Sequence, residues 1–267
     1  MKRIWAIPLS VVFFVITGIL LFSSCNKDAG DSGKGNILFV QASPDAPAVD
    51  IRNVSVVGTA FSSENITGAT GISYTSGTPN SAYINMNTST YTLGIYSSGA
   101  SATIAPTVLS MNNFVVTSDV NNSVFIINRL SSIMVSVVTD DLTPPVPGNS
   151  GIRFFNLSPD APNLNVFMVS NTLSPAPTTI PAATTAKFAN RSFNDQNGNT
   201  ANTGFISVPT GYYRIEIRNT TGATLTALTQ TNLLLDDGRI YTIYVRGFVT
   251  PPTGNSNVLS AKVLTNY

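Results

Sequence analysis

Beyond residue 35 the apolar and polar positions alternate along the chain. In Tyr213-Arg-Ile-Glu-Ile-Arg218 every second side chain is charged. On an extended strand this places Tyr213, Ile215 and Ile217 on one face and Arg214, Glu216 and Arg218 on the other, whereas a helix would scatter both sets. The stretch is predicted to be a half-buried strand with one wet face, which is antiparallel-sheet behaviour. Similar short runs recur: ILFVQAS, SAYINM, TYTLGIY and SVFIINRL early, IRFFNLS, LNVFMV, TGFISV and YTIYVRGF later. Gly, Pro, Asn and Asp punctuate them. Asp236-Asp-Gly-Arg239, between LLL and IYTIYV, reads as a hairpin turn. No long window combines helical spacing with capping residues. The expected fold class is all-β.

The runs repeat. Ile37-Leu-Phe-Val-Gln-Ala-Ser-Pro-Asp-Ala-Pro47 is matched by Ile152-Arg-Phe-Phe-Asn-Leu-Ser-Pro-Asp-Ala-Pro162. Tyr91-Thr-Leu-Gly-Ile95 is matched by Tyr213-Arg-Ile-Glu-Ile217, and Phe125-Ile-Ile-Asn-Arg129 is set against Thr242-Ile-Tyr-Val-Arg246. Order is kept while spacing drifts, as when only loops change length. The expected architecture is two tandem antiparallel β-sandwiches of immunoglobulin-like type, at 36–142 and 151–267. A Pro/Gly linker at 143–150 serves as a semi-rigid joint.

The motif residues Ser43, Pro44, Asp45 and Pro47, and again Ser158, Pro159, Asp160 and Pro162, are expected to form one structural turn per domain. Ser before Pro is pushed to extended geometry, Pro donates no ladder hydrogen bond, and Asp closes a turn on nearby backbone. These two segments resemble the opening signature of the domain-of-unknown-function family 4397, in two copies over roughly 36–267. The second copy departs from it where Asn163-Leu-Asn replaces Ala48-Val-Asp50, so Asp50 lacks an acidic counterpart. The resemblance implies an all-β domain of secreted and surface proteins, often bacterial lipoproteins, and no established activity.

The N-terminus opens with Lys2 and Arg3, followed by an uncharged apolar stretch from Ile4 to Phe22 and then Ser23-Ser24-Cys25. Such a stretch partitions into a bilayer, either as a permanent anchor or as a removable signal. Small residues just before a cysteine resemble the bacterial lipoprotein signal, although Phe22 is larger than its pattern prefers. The resemblance implies a signal peptide at 1–24, cleavage before Cys25 and lipid on the Cys25 sulfur, hence a membrane tether rather than a span. Residues 25–35, polar and Gly-rich, are expected to be a flexible tether. Cys-Asn-Lys-Asp there resembles the export signal of some Bacteroidota surface lipoproteins, and is also what any solvated linker contains.

Composition narrows the chemistry. There are 14 basic and 13 acidic residues, one cysteine, one tryptophan and no histidine. No basic field invites nucleic acid. Without His a serine nucleophile lacks its usual base, and beyond residue 36 the lysines are Lys187 and Lys262. Imidazole and thiolate metal sites are excluded; Asp195-Gln-Asn-Gly-Asn199, Asp140-Asp141 and Asp236-Asp237 offer oxygens but no complete calcium loop. Asp45 and Asp160, placed in separate domains, are expected to cap turns rather than to form a glycosidase pair. Glu216 is expected to act as a cross-strand charge. Tyr74, Tyr96, Tyr212 and Tyr244 are candidates for a contact patch, with Tyr96 and Tyr244 opposite the apolar faces of their strands.

The expected protein is a cell-envelope lipoprotein of the outer membrane, exposed on the surface in one version. It is non-catalytic and has no cofactor. It binds a partner protein or surface glycan, or acts as a scaffold. The alternatives are a fimbria-like subunit assembling by strand exchange, with one domain short of a strand, and a carbohydrate-active enzyme using Asp residues.

Overall fold

The apolar runs form strands throughout the computed structural model, which describes residues 33–57, 60–66, 71–74, 82–98, 108–171, 176–182, 184–225 and 228–267. Cys25 and the stretch before it lie outside the described residues. Among the described residues no helix is long and apolar enough to cross a membrane. The first half holds β1 (Lys34–Gln41), β2 (Val49–Val57), β3 (Ala60–Asn65), β4 (Ile84–Asn87), β5 (Ser89–Ser97), β6 (Val108–Val116), β7 (Asn121–Ile127) and β8 (Met134–Asp140). The second holds β9 (Asn149–Asn156), β10 (Leu164–Asn171), β11 (Phe188–Arg191), β12 (Ile206–Pro209), β13 (Gly211–Asn219), β14 (Gln230–Leu235), β15 (Ile240–Arg246) and β16 (Ser260–Thr265).

Each half is a pair of four-stranded sheets. In the first half the orders are β4-β1-β7-β8 and β3-β2-β5-β6; in the second, β12-β9-β15-β16 and β11-β10-β13-β14. The second set repeats the first strand for strand. Both sandwiches therefore hold the same eight described strands, and neither shows the shortage that strand exchange requires.

Three apolar clusters fill the spaces between the sheets. Ile37, Phe39, Ile51, Leu93, Ile95 and Val124 belong to the core of the first sandwich. Phe154, Val166, Ile215, Ile217 and Ile243 belong to that of the second. The third cluster joins Leu38, Val40, Phe125 and Val138 of the first half to Phe155, Leu157, Tyr244 and Leu264 of the second. The layers thus stack as outer, inner, inner, outer, and the two inner sheets pack directly on each other. Across this seam Phe125 meets Phe155 edge-on at 5.5 Å and Tyr244 at 6.1 Å between ring centres.

Alternation explains the stack. In β1, Ile37 and Phe39 point into their own sandwich while Leu38 and Val40 point into the seam. A strand apolar on both faces reads as an unbroken run, which is the signature of parallel pairing. Accordingly β1 runs parallel to β7, and β9 to β15. The antiparallel expectation describes the outer sheets; each inner sheet carries one parallel pair.

Two local expectations are corrected. Asp236–Arg239 joins β14 to β15, which lie in different sheets, so it is a crossing between layers and not a hairpin. Phe39 stands beside Val124 and Phe154 beside Ile243. Phe125 therefore corresponds to Tyr244, and the alignment of Phe125 with Thr242 is two residues out of register. A two-residue slip keeps every side chain on its face, which is why the pattern concealed it. The other match holds: Ile51 faces Ile95 as Val166 faces Ile217. The Tyr91 hydroxyl donates to the Asn87 carbonyl and that of Tyr213 to Pro209, each four residues back.

The last residues of the expected linker at 143–150 fall in β9, which begins at Asn149. Gly148 N–H donates to Asp237 at 2.7 Å, and Thr210 N–H donates to the Gly148 carbonyl. Because the seam is a core shared by both halves, urea should unfold them in one transition. Phe125→Ala should lower stability by about 3–5 kcal/mol, and separate transitions for the two halves would contradict the shared core.

Candidate functional site

The two Ser-Pro-Asp-Ala-Pro segments do the same work in each half. Where β1 ends, Ser43 Oγ donates to the Asn128 carbonyl at 2.6 Å and Asp45 Oδ1 accepts from Leu130 N–H at 2.6 Å. Where β9 ends, Ser158 Oγ donates to the Gly247 carbonyl at 2.7 Å, and Asp160 accepts from Val249 and Thr250 N–H at 2.8 and 3.2 Å. Parallel partners finish at the same end of a sheet. Each motif therefore clamps its own strand to the turn that leaves the parallel neighbour. The expected turn closes on nearby backbone; these Ser and Asp side chains instead bond backbone far away in sequence, at the turn of the neighbouring strand.

Two buried amides belong to the device and were missed. Gln41 Oε1 accepts from Ser43 N–H and its Nε2 donates to the Pro47 carbonyl; Asn156 makes the same pair of bonds with Ser158 and Pro162. The signal was present in both quoted repeats, as an amide two residues before the serine. The motif loops are also neighbours. Asn255 and Asn257 both donate to the Pro44 carbonyl, and the Arg129 guanidinium lies 3.8 Å from Asp160 and over the Phe248 ring. Arg246 donates to the Gln41 carbonyl and stacks on Tyr74 at 3.9 Å.

Elsewhere in the seam lies a buried polar network. Asp140 and Arg153 pair at 2.6 Å with both side chains fully buried. Asp140 also accepts from Tyr83 and Ser123 hydroxyls, each at 2.7 Å. Arg153 Nε donates to Thr242 Oγ1, which donates to Asn266; Asn266 Nδ2 returns to the Tyr83 hydroxyl. Phe155 and Phe205 flank the guanidinium at 4.8 and 4.2 Å. Burial pulls Arg153 below its ordinary pKa and the Asp140 carboxylate opposes this. Burial, reinforced by Asp140, pushes Tyr83 up. Asp140, read from sequence as half of a loose acidic doublet, is thus the anion of a closed network.

The remaining candidates are also accounted for. Asp195 takes both Arg191 nitrogens at 2.8 Å and the Ser192 N–H, so its carboxylate is spent inside its own loop. Tyr96 is fully buried and lies against Gly94, where no Cβ would fit; Tyr244 is 1% exposed within the seam. Neither offers a contact patch, because the side opposite the core face of each strand is itself covered. Burial pushes the Tyr244 hydroxyl up to about 12. Two clefts, of about 240 and 460 Å³, flank residues 141–143; the larger is lined by Asp119, Asn121 and Thr139 among others.

In the outer sheet of the second half Arg214, Glu216 and Arg218 share the side opposite the core, as the alternation predicted, but Glu216 is buried there and the arginines are partly exposed. Glu216 bonds Arg214 and Arg218 on its own strand, each at 2.8 Å, rather than a charge across the sheet. The Arg218 guanidinium lies 4.3 Å over Phe167. The first half has the same contact with its partners exchanged: Arg52, at the place of Phe167, lies over Tyr96, at the place of Arg218.

A family model described as "Domain of unknown function (DUF4397)" matches residues 35–167. No curated protein is similar in sequence. Among solved structures, the Bacillus anthracis TIE protein overlaps at 11% identity and a TM-score of 0.20, over 81% of this chain and 34% of that one; the chain spans about a third of that protein's length. A Bacteroides ovatus protein described as a candidate cell adhesion protein overlaps at 12% identity and a TM-score of 0.22, over 88% of this chain and 98% of its own. A Bacteroides eggerthii protein with the same description gives 10%, 0.20, 88% and 96%.

Asp140→Leu should cost about 3–5 kcal/mol by leaving Arg153 uncompensated, and the pair Asp140→Leu with Arg153→Met should recover part of that loss in denaturant titrations. Burial tends to raise Glu216, but hydrogen bonds from Arg218 and Arg214 outweigh it and hold the carboxyl below its ordinary value of 4.5. Its contribution is therefore complete above pH 4.5 and is lost as pH falls through the lower folded value. Melting curves of Glu216→Gln should lose that part of the acid dependence.

Proposed function

Because the chain belongs, through residues 35–167, to the DUF4397 family, we propose that it is a non-catalytic envelope lipoprotein. In this reading its locked double sandwich is a rigid module, tethered through Cys25, that presents its outer faces to a surface glycan or partner protein. The observation that carries the reading is the fate of five of the carboxylates. Asp45, Asp160, Asp140, Asp195 and Glu216 are each engaged by backbone N–H groups or arginines in structural contacts. A general acid or nucleophile needs a group able to change its bonding during a reaction, and these groups hold the fold.

The geometry suits display. β1 begins at Lys34, so the tether of the proposed lipoprotein joins at the opposite end of β1 from the motif loops. The shared seam fixes the two outer sheets relative to each other. A lipid anchor of two or more chains would hold such a body stably at a membrane without a span.

The test is made in the native host. A clickable fatty acid should label the wild-type protein and not Cys25→Ser, protease added to intact cells should degrade the labelled protein, and the purified full chain should bind members of a glycan array. Unlabelled protein would remove the anchor, and an array without any binding would remove the glycan version of the role.

A further inference from the structure

The two halves differ in charge. Residues 33–148 carry three basic residues, Lys34, Arg52 and Arg129, against six acidic ones, whereas residues 149–267 carry eight basic residues against five acidic. In the second half Arg153 and Arg246 are buried in the seam, Arg191 is paired with Asp195, and Arg239 stands beside Asp236 and Asp237. Lys262 lies on β16 of the inner sheet, and the other three basic residues belong to the outer sheet. Arg214 and Arg218 share the single acid Glu216. Lys187 is exposed and precedes Phe188, which points into the core, so alternation places Lys187 on the solvent side of the same sheet. This face thus carries three cations and one anion. The equivalent face of the first half pairs Arg52 with Asp50 and is neutral there.

We propose that the outer face built on β10, β11 and β13 binds an acidic polysaccharide, with Lys187, Arg214 and Arg218 taking carboxylates from successive parts of the chain. This rests on the glycan-binding reading above and narrows it to a charge class. Complementarity of charge selects the anion. Spacing selects a polymer: Arg214 and Arg218 lie four residues apart on one strand, about 13 Å, and β11 lies two strands from β13, about 10 Å. A single small anion reaches one of these positions, whereas an extended chain crosses all three. Glu216 and the Phe167 ring hold the guanidiniums in fixed orientations, so less side-chain freedom is lost when their remaining N–H groups meet a carboxylate. Asn165, directly opposite Arg218 on β10, adds an amide beside the charges.

The experiment uses the full chain purified in detergent and immobilised, with polygalacturonate as probe and uncharged dextran as control. Polygalacturonate should bind at low salt, dextran should not, and binding should fall away near 1 M salt, where the screening length is about 3 Å. Lys187→Glu, at an exposed position, should weaken binding roughly threefold or more with an unchanged melting curve. Replacing the whole network, Arg214→Gln with Glu216→Gln and Arg218→Gln, avoids stranding Glu216 and should weaken it further. No binding to polygalacturonate, equal binding by both charge variants, or preference for anionic lipid vesicles would each overturn the proposal. Dextran binding that ignores these variants would also overturn it while leaving the broader glycan reading in place. Concentration-dependent self-association that is lost in Lys187→Glu would assign the face to a second copy of the chain instead.

Discussion

The inner sheets have no wet face, and the rest of the architecture follows from that. Leu38, Val40 and Phe125 would be exposed on an isolated first sandwich, as Phe155, Tyr244 and Leu264 would be on the second. Burying each such side chain contributes roughly 1.5–3 kcal/mol, so each half depends on the other for a large share of its stability. The Asp140–Arg153 pair lies inside this layer. A buried pair of this kind adds little relative to an apolar pair of the same volume. Its effect is on register: sliding one inner sheet over the other would leave a charge unpaired in hydrocarbon, which costs several kcal/mol. The apolar layer holds the halves together, and the polar network selects one arrangement.

Parallel pairing in the inner sheets explains why the repeated motif sits where it does. A parallel neighbour needs a long connection, and here it includes the whole outer sheet and one edge strand of the inner sheet. The two ends that emerge together at the finish of β1 and β7 are therefore far apart in sequence. Ser43 and Asp45 close that gap, and Ser158 and Asp160 close it again in the second half. The duplication of five residues reflects a duplicated need to tie parallel strand ends.

How much was legible in the sequence depended on the range of each interaction. Strand content, the repeat and the outer charged face of β13 were readable, because alternation is local and its period survives any packing. The seam has a mark in the sequence, since ILFV, VFII and IYTIYV are apolar on both faces, but the pattern does not say what covers the second face. Tyr96 and Tyr244 depart from expectation for the same reason, since the side opposite the core is covered and not wet. Asp140 and Arg153 carried no signal, because their partnership crosses from the end of one sandwich to the first strand of the next. Gln41 and Asn156 did carry one, as amides at equal distance before each motif.

The constraint on the inner layers also says where the chain was free to change. A substitution in the seam must satisfy two halves at once; strand order is the same in both copies for inner and outer sheets alike, and the clamps at the ends of the inner strands are repeated too. The outer faces pack against no second half. There the cation–aromatic contact persists with its residues exchanged, Arg52 over Tyr96 in one half and Arg218 over Phe167 in the other. Exchanging the two conserves the packing of a planar cation on a ring while altering everything around it. In the first half the ring position lies beside Gly94 and is buried. In the second the corresponding places hold Glu216 and Arg218, and charge reaches the surface. One contact thus supports a closed neutral face and an open basic one, and the difference between the copies lies on the layer that can touch another molecule.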